Sequence, residues 1–498
     1  MEYRSPGANG SKRKMAFRDL REWIKCLEQH NEIAHVTTEV DWNLELGGIV
    51  EEVFRKGGPA LLFENIKDYK TTRCTKLFTA SLSTYSRLAL MLDCPKDSHP
   101  RDLINRYIER TAQQIAPVMV DSGPVKENKV VGDQINLWDF PAPLWHHLDG
   151  GRYIGTFDGV VTKDPESGWV NVGLYRRMIH DRNHLGIAFA TEQHIWRHFR
   201  KWRSLGKPMP VAIVTGWDPV LPAIAASPQA PGMDEFSVMG SLRGAPVELV
   251  KCETLDLAVP ATAEIVFEGE ISTDPSTFRT EGPFGEYTGY YTTESSPKPV
   301  IEVKCITHRN NPILQGTMEG IPINEDHRLM SIINSAVLLK MLKTYVPGVT
   351  AVNVHPSTGW TNVFVQVDNS YIGQVPRVAH AIWGTIPSLI GKNIIVVDKD
   401  IDIFDVDQVL WALAYRVDPS KDFIISPSAL NPLDPIIHPD DRPSRGANLG
   451  HKWLIDATKP ITNKPSDKWW GQKFAPVSAA DPETLERVRK RWSEYGIG

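Results

Sequence analysis

Between residues 154 and 309 the chain is written in short strand-like stretches, and this pattern limits the fold more than any other feature. IGTFDGVVT (154–162), WVNVGLYRRMI (169–179), VAIVTGW (211–217), AEIVFEGEIS (263–272) and VIEVKCITHR (300–309) are separated by Gly, Pro, Asp and Asn. Many short strands at such spacing predict a β-barrel or split barrel. One helix interrupts them, TEQHIWRHFRKW (191–202), with Thr191 as N-cap and Ile195, Phe199 and Trp202 on the buried face.

The flanking segments read differently. Phe17, Leu20, Ile24 and Leu27 recur at helical spacing, which predicts an amphipathic helix over 16–30. A strand over 33–40, a helix over 44–56 and a strand over 60–66 follow, and a connector lies near 120. Beyond the barrel, Leu329, Ile332, Ala336 and Leu339 mark a helix over 325–343. Strands at 349–355, 361–368 and 393–398 alternate with helices at 374–389 and 407–417, as in a layered sheet. The chain turns Pro-rich after 425 and closes on a helix over 481–495. The expected fold class is α/β (α+β) in three domains: an N-terminal α/β domain (15–120), a central split barrel (121–322) and a C-terminal α/β domain with a tail helix (323–498). A length of 498 residues suits that number.

Charge and cysteine usage narrow the function. Lys plus Arg is 55 and Asp plus Glu is 60, a net charge of −5, so no basic surface for nucleic acid is expected. The longest apolar runs, such as IIVV at 394–397, fall far short of the ~20 residues that span a bilayer. The five cysteines, Cys26, Cys74, Cys94, Cys252 and Cys305, are widely spaced and include no CxxC pair. They read as thiols in a reducing compartment, the cytoplasm. Residues 1–14 lack an apolar core and are no secretory signal; they read as an extension, with Met15 as a natural start.

Four short stretches can carry chemistry. In EGPFGE, Glu281 and Glu286 stand five apart around Gly282, Pro283 and Gly285. No helix holds that string, so the chain bends there. The bend can bring both carboxylates into one site, where shared burial drives their pKa values apart into an acid and a base. On spacing alone, a solvated turn is the better account. In NVGLYRR, Arg176 or Arg177 can neutralise a carboxylate. Asn171 and Arg176 are five apart, so strict alternation puts them on opposite faces, and a shared site requires a bulge or a strand end between them. His194 falls in the first turn of the helix within TEQHIW, a place suited to a phosphate or a divalent metal. Glu235, in MDEF, is a candidate metal ligand. An Asn, a His and a Glu suit Mn²⁺ or Mg²⁺ better than zinc. Each of these alone is more often an ordinary surface or core residue.

All four occur in order, and with their surroundings they closely resemble the UbiD family of prenylated-FMN-dependent reversible decarboxylases. The resemblance runs from about residue 16 to 495. Its most specific pieces are LWHHLDGGRYIGT (144–156), NVGLYRRMIHDRNHLGI (171–187), TEQHIW (191–196), SLRGAPVELVKCETLDLAVPATAEIVFEGEI (241–271), EGPFGEYTGYY (281–291) and DIDIFDVDQVLWAL (400–413). The resemblance implies a central flavin-reductase-like split barrel and a C-terminal domain that forms a homodimer or larger assembly. It implies prenylated FMN, made by a separate flavin prenyltransferase and held through Mn²⁺ (or Mg²⁺) and K⁺. The metal ligands fall on Asn171, His194 and Glu235, and the catalytic set on Arg176, Glu281 and Glu286. Main-chain oxygens near Ala226, Ser227 and Gln229 match the K⁺ site, and Leu174 and Gln193 match flavin contacts. Tyr287, His327, Asn431 and Leu433 match the substrate wall. The implied reaction is loss of CO₂ from an aromatic or heteroaromatic acid, with Arg176 and Glu281 orienting the carboxylate and Glu286 as proton donor.

Asn431-Pro432-Leu433-Asp434-Pro435 stands where the cinnamate and ferulate branch has an apolar stretch, and resembles the hydroxybenzoate branch instead. Asn431 and Asp434 are therefore expected to offer polar groups to a hydroxylated or nitrogen-bearing ring. The alternative is a cinnamate-type acrylic acid decarboxylase, with Asn431 and Asp434 serving only as local turn residues.

Overall fold

The computed structural model describes residues 17–190, 193–291, 294–385, 390–441 and 448–497. The first helix, Leu20–Gln29, starts at Asp19, whose side chain accepts from the Glu22 N–H, and it buries Leu20, Trp23, Ile24 and Leu27. Strands Ile33–Val36 and Ala60–Phe63 pair in parallel, and Lys76–Thr79 joins antiparallel. The fourth strand of this sheet, Ile313–Gln315, arrives from beyond the barrel.

The central segment forms a nine-stranded, largely antiparallel sheet. Its path runs Tyr153–Gly155, Arg177–Ile179, His184–Ile187, Val300–His308, Ile265–Ile271, Met209–Thr215, Gly159–Lys163 and Val170–Gly173, and Asn128–Val131 pairs beside Val300–His308. Strand Val170–Gly173 ends the path on one side, and Arg177–Ile179 lies next to its other end. Only Leu174, Tyr175 and Arg176 join them. Four Cα steps reach at most about 14 Å, so the sheet must curl until its ends nearly meet. The expected split barrel is thus a curled half-barrel, and Arg176 crosses its open seam.

The interrupting helix is His194–Ser204, with Gln193 as the N-cap residue. Ile195 and Phe199 are buried, while Trp202 is only half-buried. The expected cap, Thr191, lies outside the described residues.

The C-terminal sheet has five strands in the order Val349–Val354, Asn362–Val367, Asn393–Asp398, Asn448–Ala457, Phe423–Leu430. Helix Glu325–Tyr345 packs on the first, and helices Gln374–Thr385 and Val406–Arg416 complete the layer. The expected extension of the middle helix over 386–389 lies outside the described residues. The Pro-rich stretch supplies two paired strands the pattern did not predict. Phe423–Leu430 is an edge strand, where Pro427 leaves no inner ladder bond unmade. The tail carries helix Pro482–Lys490 and a tight turn at Trp492–Tyr495, neither with a buried residue. One apolar core joins the first helix, one side of the half-barrel and helix Glu325–Tyr345. Among the described residues no helix is long and apolar enough to cross a membrane.

Candidate active site

The break at Leu174–Arg176 resolves the facing problem posed by Asn171 and Arg176. Released from strand alternation, Arg176 turns its guanidinium towards the bend between Glu281 and Glu286. Nε and Nη2 donate to Glu281 Oε1 and Oε2, both at 2.9 Å, and Nη1 donates to Glu286. The bend therefore gathers both carboxylates on one cation.

Glu281 ends strand Arg279–Glu281, which pairs with Ser296–Lys298. Gly282 follows at φ +84°, a conformation that favours glycine. The turn of LWHHLDGG packs against this bend. Gly150 N donates to Pro283 O at 2.7 Å, and any side chain on Gly150 would collide with the Gly282 carbonyl. Asp149 Oδ1 accepts from Gly285 N at 2.9 Å. Tyr153 donates its hydroxyl to Glu281 Oε1 at 2.8 Å and packs on Phe284, ring centres 4.4 Å apart. The Arg176 guanidinium lies 5.1 Å from the centre of the same ring. Asp149 and Tyr153 lie in LWHHLDGGRYIGT, where no spacing in the sequence marks them as site residues.

Burial raises the Glu286 pKa above the usual carboxylate range, Arg176 opposes this, and Glu281 and Asp149 add to it. Burial works against the Arg176 charge, yet Glu286 and Glu281 more than offset it and hold its proton on. Burial, then Glu281, raises the Tyr153 phenol, so it remains a donor.

A second group lies around the start of the interrupting helix. Asn171 is on strand Val170–Gly173, His194 is the first residue of its helix, and Glu235 opens helix Glu235–Arg243, which Asp234 caps at the Phe236 N–H. His194 Nδ1 stands 3.8 Å from Glu235 Oε1, and Glu235 Oε2 accepts from Val172 N at 3.2 Å. Burial raises the Glu235 pKa, and His194 opposes the shift. The Asn171 amide is buried beside Tyr175, and its nitrogen makes no hydrogen bond of normal geometry among the described residues. An orphaned amide beside an imidazole and a carboxylate fits an oxygen-preferring divalent ion. No three His, Cys, Asp or Glu side chains cluster as a metal site among the described residues; this group counts an Asn.

Leu174 N donates to Ala225 O at 3.1 Å, which ties the seam to the loop before Ser227. Ser227 Oγ donates to Ile224 O and accepts from Gln229 Nε2. Gln193 turns its side-chain oxygen back to the Ala190 N–H at 2.6 Å.

The remaining expected residues meet around Tyr287. Its ring stacks on Trp360, centres 4.3 Å apart, and its hydroxyl accepts from Asn431 Nδ2. Trp360 had no sequence signal. His327 is fully buried; Nδ1 accepts from Asn324 N and Nε2 donates to Tyr287 O at 2.6 Å. Burial lowers its pKa to about 4. Asn431 Oδ1 accepts from Leu433 N, and Leu433 is partly buried against the main core. Asp434 pairs with Lys392 at 2.7 Å and accepts from Ile436 N. Both side chains thus bond a local N–H and one partner far away in sequence, Tyr287 for Asn431 and Lys392 for Asp434.

Three family profiles match in order: the N-terminal, Rift-related and C-terminal domains of 3-octaprenyl-4-hydroxybenzoate carboxy-lyase (UbiD), over residues 24–107, 117–322 and 327–457. A pyrrole-2-carboxylic acid decarboxylase of Pseudomonas aeruginosa is 35% identical over 499 residues, covering 96% of this chain and 98% of its own. The closed form of vanillic acid decarboxylase from Sedimentibacter hydroxybenzoicus matches with a TM-score of 0.84 at 32% identity, over 96% of this chain and 99% of that one. An evolved dimeric form of the UbiD-class enzyme HmfF from Pelotomaculum thermopropionicum, in complex with prFMN, matches with a TM-score of 0.78 at 28% identity, over 94% and 98%.

Proposed function

This chain belongs to the UbiD family of carboxy-lyases, and we propose that it reversibly decarboxylates an aromatic or heteroaromatic carboxylic acid with prenylated FMN. The observation that carries the reading is a partly buried arginine held between two buried glutamates at the seam of a half-barrel. Losing CO₂ from an sp² carbon requires an electron sink, which prenylated FMN supplies when bound.

The chain's own residues do the rest. Arg176 already carries two carboxylate partners, so a substrate carboxylate brings a third negative charge into a buried site. That charge is tolerated when Glu286 is protonated, which links substrate binding to a proton on Glu286. Glu286 then gives this proton to the ring carbon that CO₂ has left. Glu281, held by Tyr153, keeps the guanidinium aimed at the seam.

Asn171, His194 and Glu235 would hold Mn²⁺ (or Mg²⁺) against the flavin phosphate, and main-chain oxygens around Ala226, Ser227 and Gln229 would take K⁺. Leu174 and Gln193 would contact the flavin. A flavin prenyltransferase is the supplier. None of the five cysteines forms a disulfide with another, which suits a reducing cytoplasm. Homodimer formation is supported by exposed Trp411, Tyr415, Phe423 and Ile425 on the C-terminal domain and by a tail helix with no buried side chain.

Tyr287 accepts from Asn431, which leaves its own O–H to donate into the site. A ring bearing an oxygen substituent that can accept, as in the vanillic acid of one relative, suits that donor. A cinnamate-type acid is the second reading, favoured by one observation: Asn431 and Asp434 are satisfied within the chain and ask nothing of the substrate. Product analysis over a panel of acids, with protein made with and without a flavin prenyltransferase, tests both. CO₂ release from a hydroxylated or heteroaromatic acid, only by the loaded protein, is expected. Higher kcat/KM for cinnamate would select the second reading, and no release from any acid would defeat the proposal.

A further inference from the structure

The motif LWHHLDGGRYIGT holds a charged pair with no part in the reaction as described above. Asp149 has a fully buried side chain. Its Oδ1 accepts from Gly285 N at 2.9 Å, and its Oδ2 accepts from His146 N and pairs with His146 Nδ1, both at 3.0 Å. His146 Nε2 reaches Glu319 O at 3.0 Å, and its ring packs edge-on against Phe284 and Tyr291. The pair is thus a strut from the bend of EGPFGE to the chain at Glu319, fastened one residue before Glu286.

We propose that Asp149, buttressed by His146, is the positioning residue of Glu286: it fixes the bend through Gly285 N–H and sets a negative charge beside the proton donor. The inference rests on Glu286 being that donor. The strut alone would need only neutral acceptors for two N–H groups, those of Gly285 and His146. A buried carboxylate is costly there unless its charge is used or paired. Pairing with His146 meets that cost, and the pair keeps the carboxylate on the Glu286 side. The groups facing Glu286 are Arg176 from the seam, Glu281 from the hairpin, Asp149 from the turn, and Glu319 and Tyr287 from the chain around it. Glu319 is itself raised well above its ordinary value, by burial and then by Asp326. Asp149 and Glu281 both push the Glu286 pKa up, on top of burial.

The sign of the effect separates charge from mere support. Asp149→Asn keeps an acceptor for Gly285 N–H and removes the charge. His146→Gln keeps a donor for Glu319 O and leaves the Asp149 charge unpaired. In full-length protein without cofactor, the infrared band of a protonated carboxyl that vanishes in Glu286→Gln reports the proton on Glu286. Its titration midpoint is expected to fall by about one pH unit in Asp149→Asn and to rise in His146→Gln. The alkaline limb of turnover in the loaded enzyme should follow in each variant. Midpoints that stay put, or that move the same way in both variants, overturn the proposal. If Asp149→Asn does not fold, an unmoved or lowered midpoint in His146→Gln overturns it alone. Opposite shifts in a protein that decarboxylates no acid would uphold the Asp149 assignment while defeating the decarboxylase reading.

Discussion

The two ends of the site are built in opposite ways. At the carboxylate end every charge already has a partner: Arg176 bonds Glu281 through two nitrogens and Glu286 through a third, and Tyr153 completes Glu281. At the proposed metal end the groups stand near one another without closing. His194 and Glu235 are 3.8 Å apart, and among the described residues a buried Asn171 nitrogen has no hydrogen bond of normal geometry. The first end is part of the fold's own hydrogen bonding, as buried ions must be. The second has spare valence, which an ion can fill. The contrast teaches that the proposed catalytic cluster is bonded within the chain, while the proposed metal group keeps donor atoms to spare.

Breaking each end should therefore do different damage. Arg176→Met leaves two buried glutamates without their cation. Turnover should vanish, and denaturant unfolding should show a loss of roughly 3–5 kcal/mol. His194→Ala should leave the unfolding midpoint almost unchanged while divalent metal and flavin are lost together from the purified protein, at least about tenfold in metal affinity. A variant as destabilised as Arg176→Met would erase the distinction between the ends.

The pH profile sharpens the same contrast. Glu286 is raised by burial, with Glu281 and Asp149 adding to it, so the folded state holds this proton more tightly than the unfolded chain does. Its contribution to stability is present below the ordinary carboxylate value and is lost as pH rises through the raised one. Turnover should fall over the same alkaline limb, because the donor loses its proton. A limb that persists in Glu286→Asp but shifts in position would assign it to this carboxyl. The smallest effect is expected from Tyr153→Phe, which deletes one hydrogen bond to a charged acceptor. A roughly tenfold fall in kcat with metal and flavin content intact is predicted, read from steady-state kinetics beside cofactor absorbance.

Much of this was legible in the residues. The strand NIIVVD at 393–398 and the helix beginning at Glu325 stand where their patterns put them. The five-residue spacing of Asn171 and Arg176 demanded a strand break, and the break is there. What stayed hidden had physical reasons. Ile313–Gln315 pairs with a strand far away in sequence, which no local period reports. Phe423–Leu430 tolerates Pro427 because it is an edge, and edge position is a property of the sheet. Asp149 and Tyr153 act through contacts across the fold, so their spacing carries no signature. Asn431 and Asp434 bond Tyr287 and Lys392, partners that their own spacing does not report.

The account stands most directly on Glu286 as the source of the proton at carbon. Decarboxylation in deuterium oxide, by the loaded protein and by its Glu286→Gln variant at equal flavin and metal content, measures that step. The account predicts product from the wild-type chain with one deuterium on the carbon that carried the carboxylate, and a rate about 10²–10⁴ lower from the variant. Labelled product formed at comparable rates by both proteins would contradict it.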